Sequence, residues 1–360
     1  MTYKIPTLKE IKDQTENGNH KFEVVSFFAG GGGSSTGYRM AGGKVLAVNE
    51  FIEEAQKTYA ENYPATYIFK GDIKKLTPED VLEKINKNKF ELDVMDGSPP
   101  CSAFSTIGKR DKGWGKDKKY SDSSQENVED LFFEYIRILR GIMPKVFIAE
   151  NVAGLSIGVA KGYLNEILRE LKTSDYHVEC KILNAKWLGV PQSRNRIIFV
   201  GVRNDLMKKE YVGNLHPKPL KNIVTLKEAF DGLVFTEQDA NETCLKKYSI
   251  YKLLIGLKKG DRHKKRFTLM KANPNDVGQC ITAFSAYLGA GNPYHWDNRA
   301  FTVDEVKRIM SIPDDYILTG KYQKKVERLG RMVAPFMMRS VCENLLKIGV
   351  ISGNTKKLDI

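Results

Sequence analysis

Residues 96–105, DGSPPCSAFS, set two prolines directly before a cysteine. Proline fixes φ, removes a backbone donor and restricts the residue before it. Pro99 and Pro100 therefore aim Cys101 at a set angle from the apolar run FELDVMD that precedes them. A thiol held this way suits nucleophilic attack, while the plainer reading is a small buried hydrophobe. Two other stretches carry matching chemistry. AEN (149–151) offers Glu150, and GVPQSRNR (189–196) offers Gln192, Arg194 and Arg196. A thiolate, a carboxyl group and an arginine around one pocket suit attack on an electron-poor ring. Cytosine carbon 6 becomes such a centre once nitrogen 3 is protonated or hydrogen-bonded. Glu150 would do that, with Arg196 on the ring oxygen. Attack makes carbon 5 enamine-like and able to take a methyl group, after which a base removes the carbon 5 proton and the thiolate leaves. A structural ion pair is the plainer reading of Glu150 and the arginines.

A second group of residues suits a nucleotide-like ligand. FFAGGGGSSTGY (27–38) follows a strand and opens a helix. Glycines there let backbone approach a ligand and expose helix N-terminal amides. The dinucleotide fingerprint fails, because Ser35 stands where its third glycine belongs. The P-loop fails too, because no Gly-Lys-Ser/Thr follows. Glu50 ends the next strand, where a carboxylate can take both hydroxyls of a ribose. Phe51 can lie on a purine face, and Asp72 can accept from an adenine amino group. Each acid alone reads equally as a helix cap. At consecutive strand ends they compose an adenosine pocket.

The elements that must position these residues alternate. FEVVSFF, KVLAVNE, TYIFKGD, FELDVMD, KVFIAEN, HVECKILNA and NRIIFVGV read as buried strands, most of them separated by helical patterns. That order implies an α/β fold with a doubly wound, mostly parallel sheet, ligands sitting at the strands' carboxyl ends. Periodicity fades from 203 to 298, which reads as a smaller irregular domain after a catalytic domain of 1–202. Helical pattern returns over 299–360, broken at Pro335. The polar lead-in before Phe22 and the tail after 351 read as loosely held. Net charge is +13, and 108–120 and 258–267 each carry six Lys or Arg, against two and one Asp respectively. Such runs flanking an active thiol favour a polyanionic partner. The five cysteines are widely spaced without a CxxC pair, and the five histidines are scattered. This argues against a disulfide framework and against a metal site, and for a reducing, cytoplasmic setting. No apolar run is long enough to span a membrane.

In these residues and their order the chain resembles the cytosine carbon-5 DNA methyltransferases of bacteria and phages. The resemblance implies a class I methyltransferase sheet, Rossmann-like, that binds S-adenosyl-L-methionine. Phe28, Ala29, Gly30, Gly32 and Gly33 match the family's first motif. Glu50, Phe51, Asp72, Ile73, Pro99 and Leu131 fall at its other cofactor-lining positions. GSPPCSAFS matches the nucleophile motif, which makes Cys101 the attacking thiolate. Glu150 comes from Glu-Asn-Val, and Arg194 and Arg196 from Gln-x-Arg-x-Arg, as catalytic residues. Ser102, Ser105, Lys109, Arg110, Gln192 and Thr282 are implied DNA contacts. RAFTVDEVKRIMSIPDDY and LGRMVAP resemble the ninth and tenth motifs. Residues 203–298 then form the target recognition domain, and 299–360 return to the catalytic domain. Three positions depart from the pattern: Ser102 replaces a glutamine usual in bacterial members, Arg331 an asparagine, and Asp304 a common arginine.

The implied reaction needs the target cytosine flipped out of double-stranded DNA. Residues 106–122 read as a mobile gate over DNA phosphates. The protein is expected to be a monomer without metal, with a cognate restriction endonuclease as a possible functional partner. A transfer-RNA cytosine-5 methyltransferase on the same scaffold is the nearest alternative. Relatives of that kind carry Cys-Phe-Thr near the recognition region, which this chain lacks. A nicotinamide oxidoreductase and a catalytically dead DNA-binding homologue are further alternatives. The failed fingerprint opposes the first, and the intact Cys101, Glu150 and Arg196 oppose the second.

Overall fold

The computed structural model describes residues 3–16, 18–100, 130–158 and 160–351, with the backbone of 118–119 and 124–125. The chain forms two compact units. The larger holds residues 9–183, 195–218 and those from 338 onward; the smaller holds 1–8, 184–194 and 219–337.

The larger unit is built on seven strands: β1 (Phe22–Phe27), β2 (Gly43–Glu50), β3 (Tyr67–Lys70), β4 (Val94–Gly97), β5 (Val146–Val152), β6 (Tyr176–Asn184) and β7 (Asn195–Arg203). Their spatial order is β3-β2-β1-β4-β5-β7-β6. The pairs β2–β3, β1–β2, β1–β4 and β4–β5 are parallel, and β5–β7 is antiparallel. Strand order reverses between β1 and β4. A crevice at such a switch point is where open α/β sheets take ligands.

The helices follow from apolar spacing and capping. Helix α1 (Leu8–Thr15) opens the chain. Helix α2 (Gly33–Met40) follows β1, α3 (Glu53–Asn62) follows β2, and α4 (Pro78–Ile85) follows β3. Thr77 and Asp80 close a reciprocal capping box on α4, with Pro78 in its first turn. Helix α5 (Leu131–Ile142) buries Leu131, Phe132, Tyr135, Ile136, Ile138, Leu139 and Ile142 on the sheet. Each such side chain contributes about 1.5–3 kcal/mol. Helix α6 (Ala160–Lys172) packs into the same core through Ile167 and Leu171. Gly97 has a steric reason: a Cβ there would lie 2.4 Å from the Tyr135 ring.

The lead-in is not loose. In α1, Ile11 and Thr15 are buried. Before it, Tyr3 donates to the Arg308 carbonyl (2.8 Å), and the Leu8 amide donates to Asp315. A short apolar face spaced by three or four is enough to dock a helix whose average composition is polar.

The smaller unit has little regular structure. Its helices are α7 (Leu226–Ala229), α8 (Glu237–Glu242), α9 (Ile250–Ile255), α10 (Val303–Ile309), α11 (Tyr322–Arg331) and the first turn of α12 (Pro335–Lys347). Capping boxes at Thr225, Thr236 and Thr302 start three of them. Leu245, Ile250, Leu254, Leu269, Leu288, Tyr294, Tyr322 and Val326 share one core. The chain breaks between α11 and α12, as Pro335 requires.

The boundary expected at Arg203 falls at Pro219 instead. Arg203 donates to the carbonyls of Met143 (2.7 Å) and Phe90 (3.2 Å), and His216 bonds the Ile198 carbonyl (3.0 Å). These contacts keep 203–218 on the larger unit. Residues 299–337 pack with the smaller unit rather than the larger, since Tyr322 and Val326 complete its core.

Candidate active site

The glycine loop sits between β1 and α2. Phe28, Gly30 and Gly32 all have positive φ, at 56°, 57° and 91°. The turn closes through Gly32 N–H to the Ala29 carbonyl (3.0 Å), and Ala29 N–H reaches the Asn49 carbonyl (3.1 Å). Gly33 begins α2, and both it and Ala29 are buried. Glu50, at the end of β2, accepts from the amides of Gly30 and Ile52, both at 2.6 Å. Its carboxylate thus ties the loop to the turn at Phe51, which is half-buried.

Asp72 caps a short turn by accepting from the Lys74 amide (3.1 Å). Asn49 sets the approach, donating to the Phe69 and Gly71 carbonyls, both at 3.0 Å. Ile73 and Leu131 are fully buried members of the larger core, so only their edges are available to a ligand. At Gly30 and Gly71, both with positive φ, a Cβ would meet nothing within 4 Å. Open space beside two carboxylates fits a ligand bearing hydroxyl and amino groups, such as the adenosine of S-adenosylmethionine.

The second cluster lies on β4, β5 and β7. Glu150 and Arg196 are paired across the antiparallel strands, with Nε to Oε1 at 2.6 Å. Arg196 also donates to the Asn195 carbonyl (2.7 Å). The end of β4 is stitched on both sides. Ser98 N–H donates to the Phe27 carbonyl (3.2 Å). Asn151 Nδ2 donates to the Pro99 carbonyl (3.2 Å). Pro99 and Pro100 therefore leave the sheet between the glycine loop and Glu150. Cys101, the next residue in sequence, lies outside the described residues, as do Ser102, Ser105, Lys109 and Arg110. The expected gate at 106–122 does too, apart from a backbone ladder pairing 118–119 with 124–125.

Gln192 and Arg194 differ from expectation. Gln192 is fully buried; its Oε1 accepts from the Ile281 amide (3.1 Å), and its Nε2 meets Met310 Sδ (3.0 Å). Arg194 is buried and donates to the carbonyls of Ile281 (2.7 Å), Met332 (3.1 Å) and Gly330 (3.2 Å). Both side chains are buried and bind the smaller unit together. The chain passes between the units here: Gln192 and Arg194 lie in the smaller unit, and Arg196 lies on a strand of the larger one. Thr282 opens the turn 283–286, and the Ser285 amide donates to its carbonyl (2.9 Å). Gly330 packs against it so closely that a Cβ would lie 2.3 Å from the Thr282 carbonyl carbon.

Two residues outside the expected set shape the site, Asn151 and Asp96. The Asn151 side chain is legible only through the AEN motif. Asp96 is fully buried and accepts from three hydroxyls: Ser26 (2.5 Å), Ser34 (2.9 Å) and Tyr38 (2.7 Å). An acid inside an apolar run just before the prolines was the available signal. Among the described residues no group of His, Cys, Asp or Glu could hold a metal ion, and no helix is long and apolar enough to cross a membrane.

Residues 22–347 match the family model of C-5 cytosine-specific DNA methylase. The Type II methyltransferase M1.HphI of Haemophilus parahaemolyticus is 28% identical over 351 residues, covering 90% of this chain and 86% of that one. Type II methyltransferase M.Eco47II of Escherichia coli is 28% identical over 359 residues, covering 89% and 78%. A solved DNA modification methyltransferase candidate encoded in an E. coli prophage superposes with a TM-score of 0.71 over 91% of this chain and 99% of that one, at 21% identity. That likeness confirms the class I methyltransferase fold, and the match over most of the sequence settles the family. The chain belongs to the C-5 cytosine-specific DNA methylases and is a DNA cytosine-5 methyltransferase.

Proposed function

We propose that Cys101, Glu150 and Arg196 carry out this methylation on a cytosine flipped out of double-stranded DNA. The Glu150–Arg196 pair carries the reading. It stands at the carboxyl end of β5, next to the strand that leads into Cys101. The Cys101 thiolate forms a bond to cytosine carbon 6. A proton on the Glu150 oxygen that Arg196 does not take passes to nitrogen 3 as the thiolate adds and returns when the thiolate leaves, and Arg196 orients that carboxyl group. S-adenosylmethionine, when bound, supplies the electrophilic methyl group that carbon 5 accepts. Loss of the carbon 5 proton to a base then expels the thiolate and restores the ring. Gly30, Glu50, Phe51 and Asp72 are the residues that would hold the adenosine.

The smaller unit reads sequence in this proposal. Its turn after Thr282 exposes Phe284 and Tyr287, each more than half accessible. Asn292 Nδ2 fixes that turn by donating to both their carbonyls, at 3.1 and 3.0 Å. A groove of about 820 Å³ on the same unit has Leu253 and Leu257 in its lining beside Arg262, Lys264, Lys265 and Arg266. Rigid exposed aromatics suit bases, and the cations suit phosphates. A Type II restriction-modification setting fits the relatives' names.

Tritium transfer from S-adenosylmethionine tests the reading, with duplex DNA and transfer RNA offered in parallel. DNA should be labelled and transfer RNA not. Cys101→Ala should abolish labelling and also abolish covalent trapping on DNA containing 5-fluorocytosine. Turnover by that variant would remove Cys101 from the mechanism.

A further inference from the structure

We propose that Asp96 is a positioning residue that couples the cofactor loop to the nucleophile segment. It rests on the reading of the glycine loop and Cys101 above. Asp96 lies on β4, five residues before Cys101. An ionised carboxylate only accepts, and here it draws hydroxyls from two elements. Oδ2 takes Ser26 of β1 and Ser34 of α2, and Oδ1 takes Tyr38 of α2. Ser34 is the second residue of α2, directly after Gly33 of the glycine loop. The start of that helix is therefore pinned from the neighbouring strand.

Beyond Asp96 the strand has no slack. Gly97 lies beneath Tyr135, Ser98 is bonded to Phe27, and Pro99 to Asn151. A shift of β4 must move both the loop that faces the cofactor and the segment that presents the thiol. Charge-assisted bonds to three hydroxyls make one rigid body of them. Burial pushes the Asp96 carboxyl up to about 6, against the lowering effect of the Ser26, Tyr38 and Ser34 hydroxyls. The charges that bear on it include Glu150 from β5, and Asp96 itself acts on Tyr38, on Tyr135 of α5 and on Cys342 of α12. The fold thus keeps a costly carboxylate where apolar packing would be simpler, which is the pattern of a group retained for its site.

The test uses the full-length chain with Asp96→Asn, Ser34→Ala and the double variant. Calorimetry with S-adenosylhomocysteine reads cofactor affinity, thermal melting reads folding, and trapping on 5-fluorocytosine DNA at saturating cofactor reads presentation of the thiol. Asp96→Asn should bind roughly ten-fold more weakly, equivalent to about 1.4 kcal/mol. It should also trap more slowly, while melting no lower at pH 8. Ser34→Ala should weaken binding in the same direction but less, and should add little to Asp96→Asn. Should Asp96→Asn fail to fold, Ser34→Ala decides by its affinity alone. Wild-type affinity and trapping in either folded variant, whatever the melting temperature, would overturn the coupling and leave Asp96 a packing residue. A wild-type chain that does not bind S-adenosylhomocysteine would instead overturn the cofactor reading.

Discussion

Two acids that look alike in sequence do different work. Glu50 holds its loop through two backbone amides at 2.6 Å and still faces the open glycine backbone. Glu50→Ala should weaken S-adenosylhomocysteine binding by ten-fold or more, since a hydrogen bond to a charged group is worth roughly 1.5–3 kcal/mol. Glu50→Gln should lose less, because its amide oxygen keeps one acceptor. Equal affinities in calorimetry would place the ribose elsewhere. Asp96 bears on pH instead. Its folded value is raised from 3.8 to about 6, so between these values the folded chain binds a proton that the unfolded chain does not. Its contribution to stability therefore falls as pH rises from 4 to 6 and stays low above, by about 3 kcal/mol in total. Urea unfolding of wild type and Asp96→Asn should show the variant gaining on wild type by about that amount across the window. A constant difference would contradict a buried ionised Asp96. The positions of Glu50, Asp72, Glu150 and Arg196 were legible because each lies at or within two residues of a strand end. Asp96 was hidden inside an apolar run, and the hydroxyls that satisfy it are distant in sequence.

The central strands were legible for the same reason that they are buried, whereas the edge strands β3 and β6, also expected to be buried, are largely half-buried or exposed. Runs such as FEVVSF and VFIAEN leave no polar face, so periodicity needed no tertiary information. The ladders 192–193 with 278–279 and 270–271 with 293–294 are two residues long and carry no pattern at all. The burial of Gln192 and Arg194 was not legible either, because a motif shows residue type but not the distant carbonyls and amides that meet it. Close approaches make a sharper claim at this level. Gly97→Ala must drive its methyl group into Tyr135, and Gly330→Ala into the Thr282 backbone. Overpacking of this kind costs about 1–3 kcal/mol. The ring of Tyr135 can shift and a backbone carbonyl cannot, so Gly330→Ala should lower the urea midpoint more than Gly97→Ala. The reverse order would mean that α11 slides more freely than α5.

The whole molecule is basic, with a net charge of +13, and the smaller unit carries a cationic groove. Neutralising Lys258, Lys259, Lys264 and Lys265 should weaken DNA binding and flatten its salt dependence, leaving the methylated sequence unchanged in bisulfite sequencing. Phe284→Ala should weaken binding with the salt slope intact, by roughly 1–3 kcal/mol if the ring stacks on a base. A changed slope would place it among the phosphate contacts. Exchanging recognition between relatives is a harder task than moving 203–298, since 184–194 and 299–337 also belong to the smaller unit. Arg194 shows what that layout means in time. Its carbonyl partner Gly330 is 136 residues further along the chain. At roughly 5–20 residues per second, the ribosome delivers that partner on the order of ten seconds after the arginine. For that interval the guanidinium stays hydrated, since burying it before the Gly330 and Met332 carbonyls exist would cost roughly several kcal/mol. The nascent smaller unit stays open until its last helices arrive, long after the strands that carry Glu150 and Arg196 have been made.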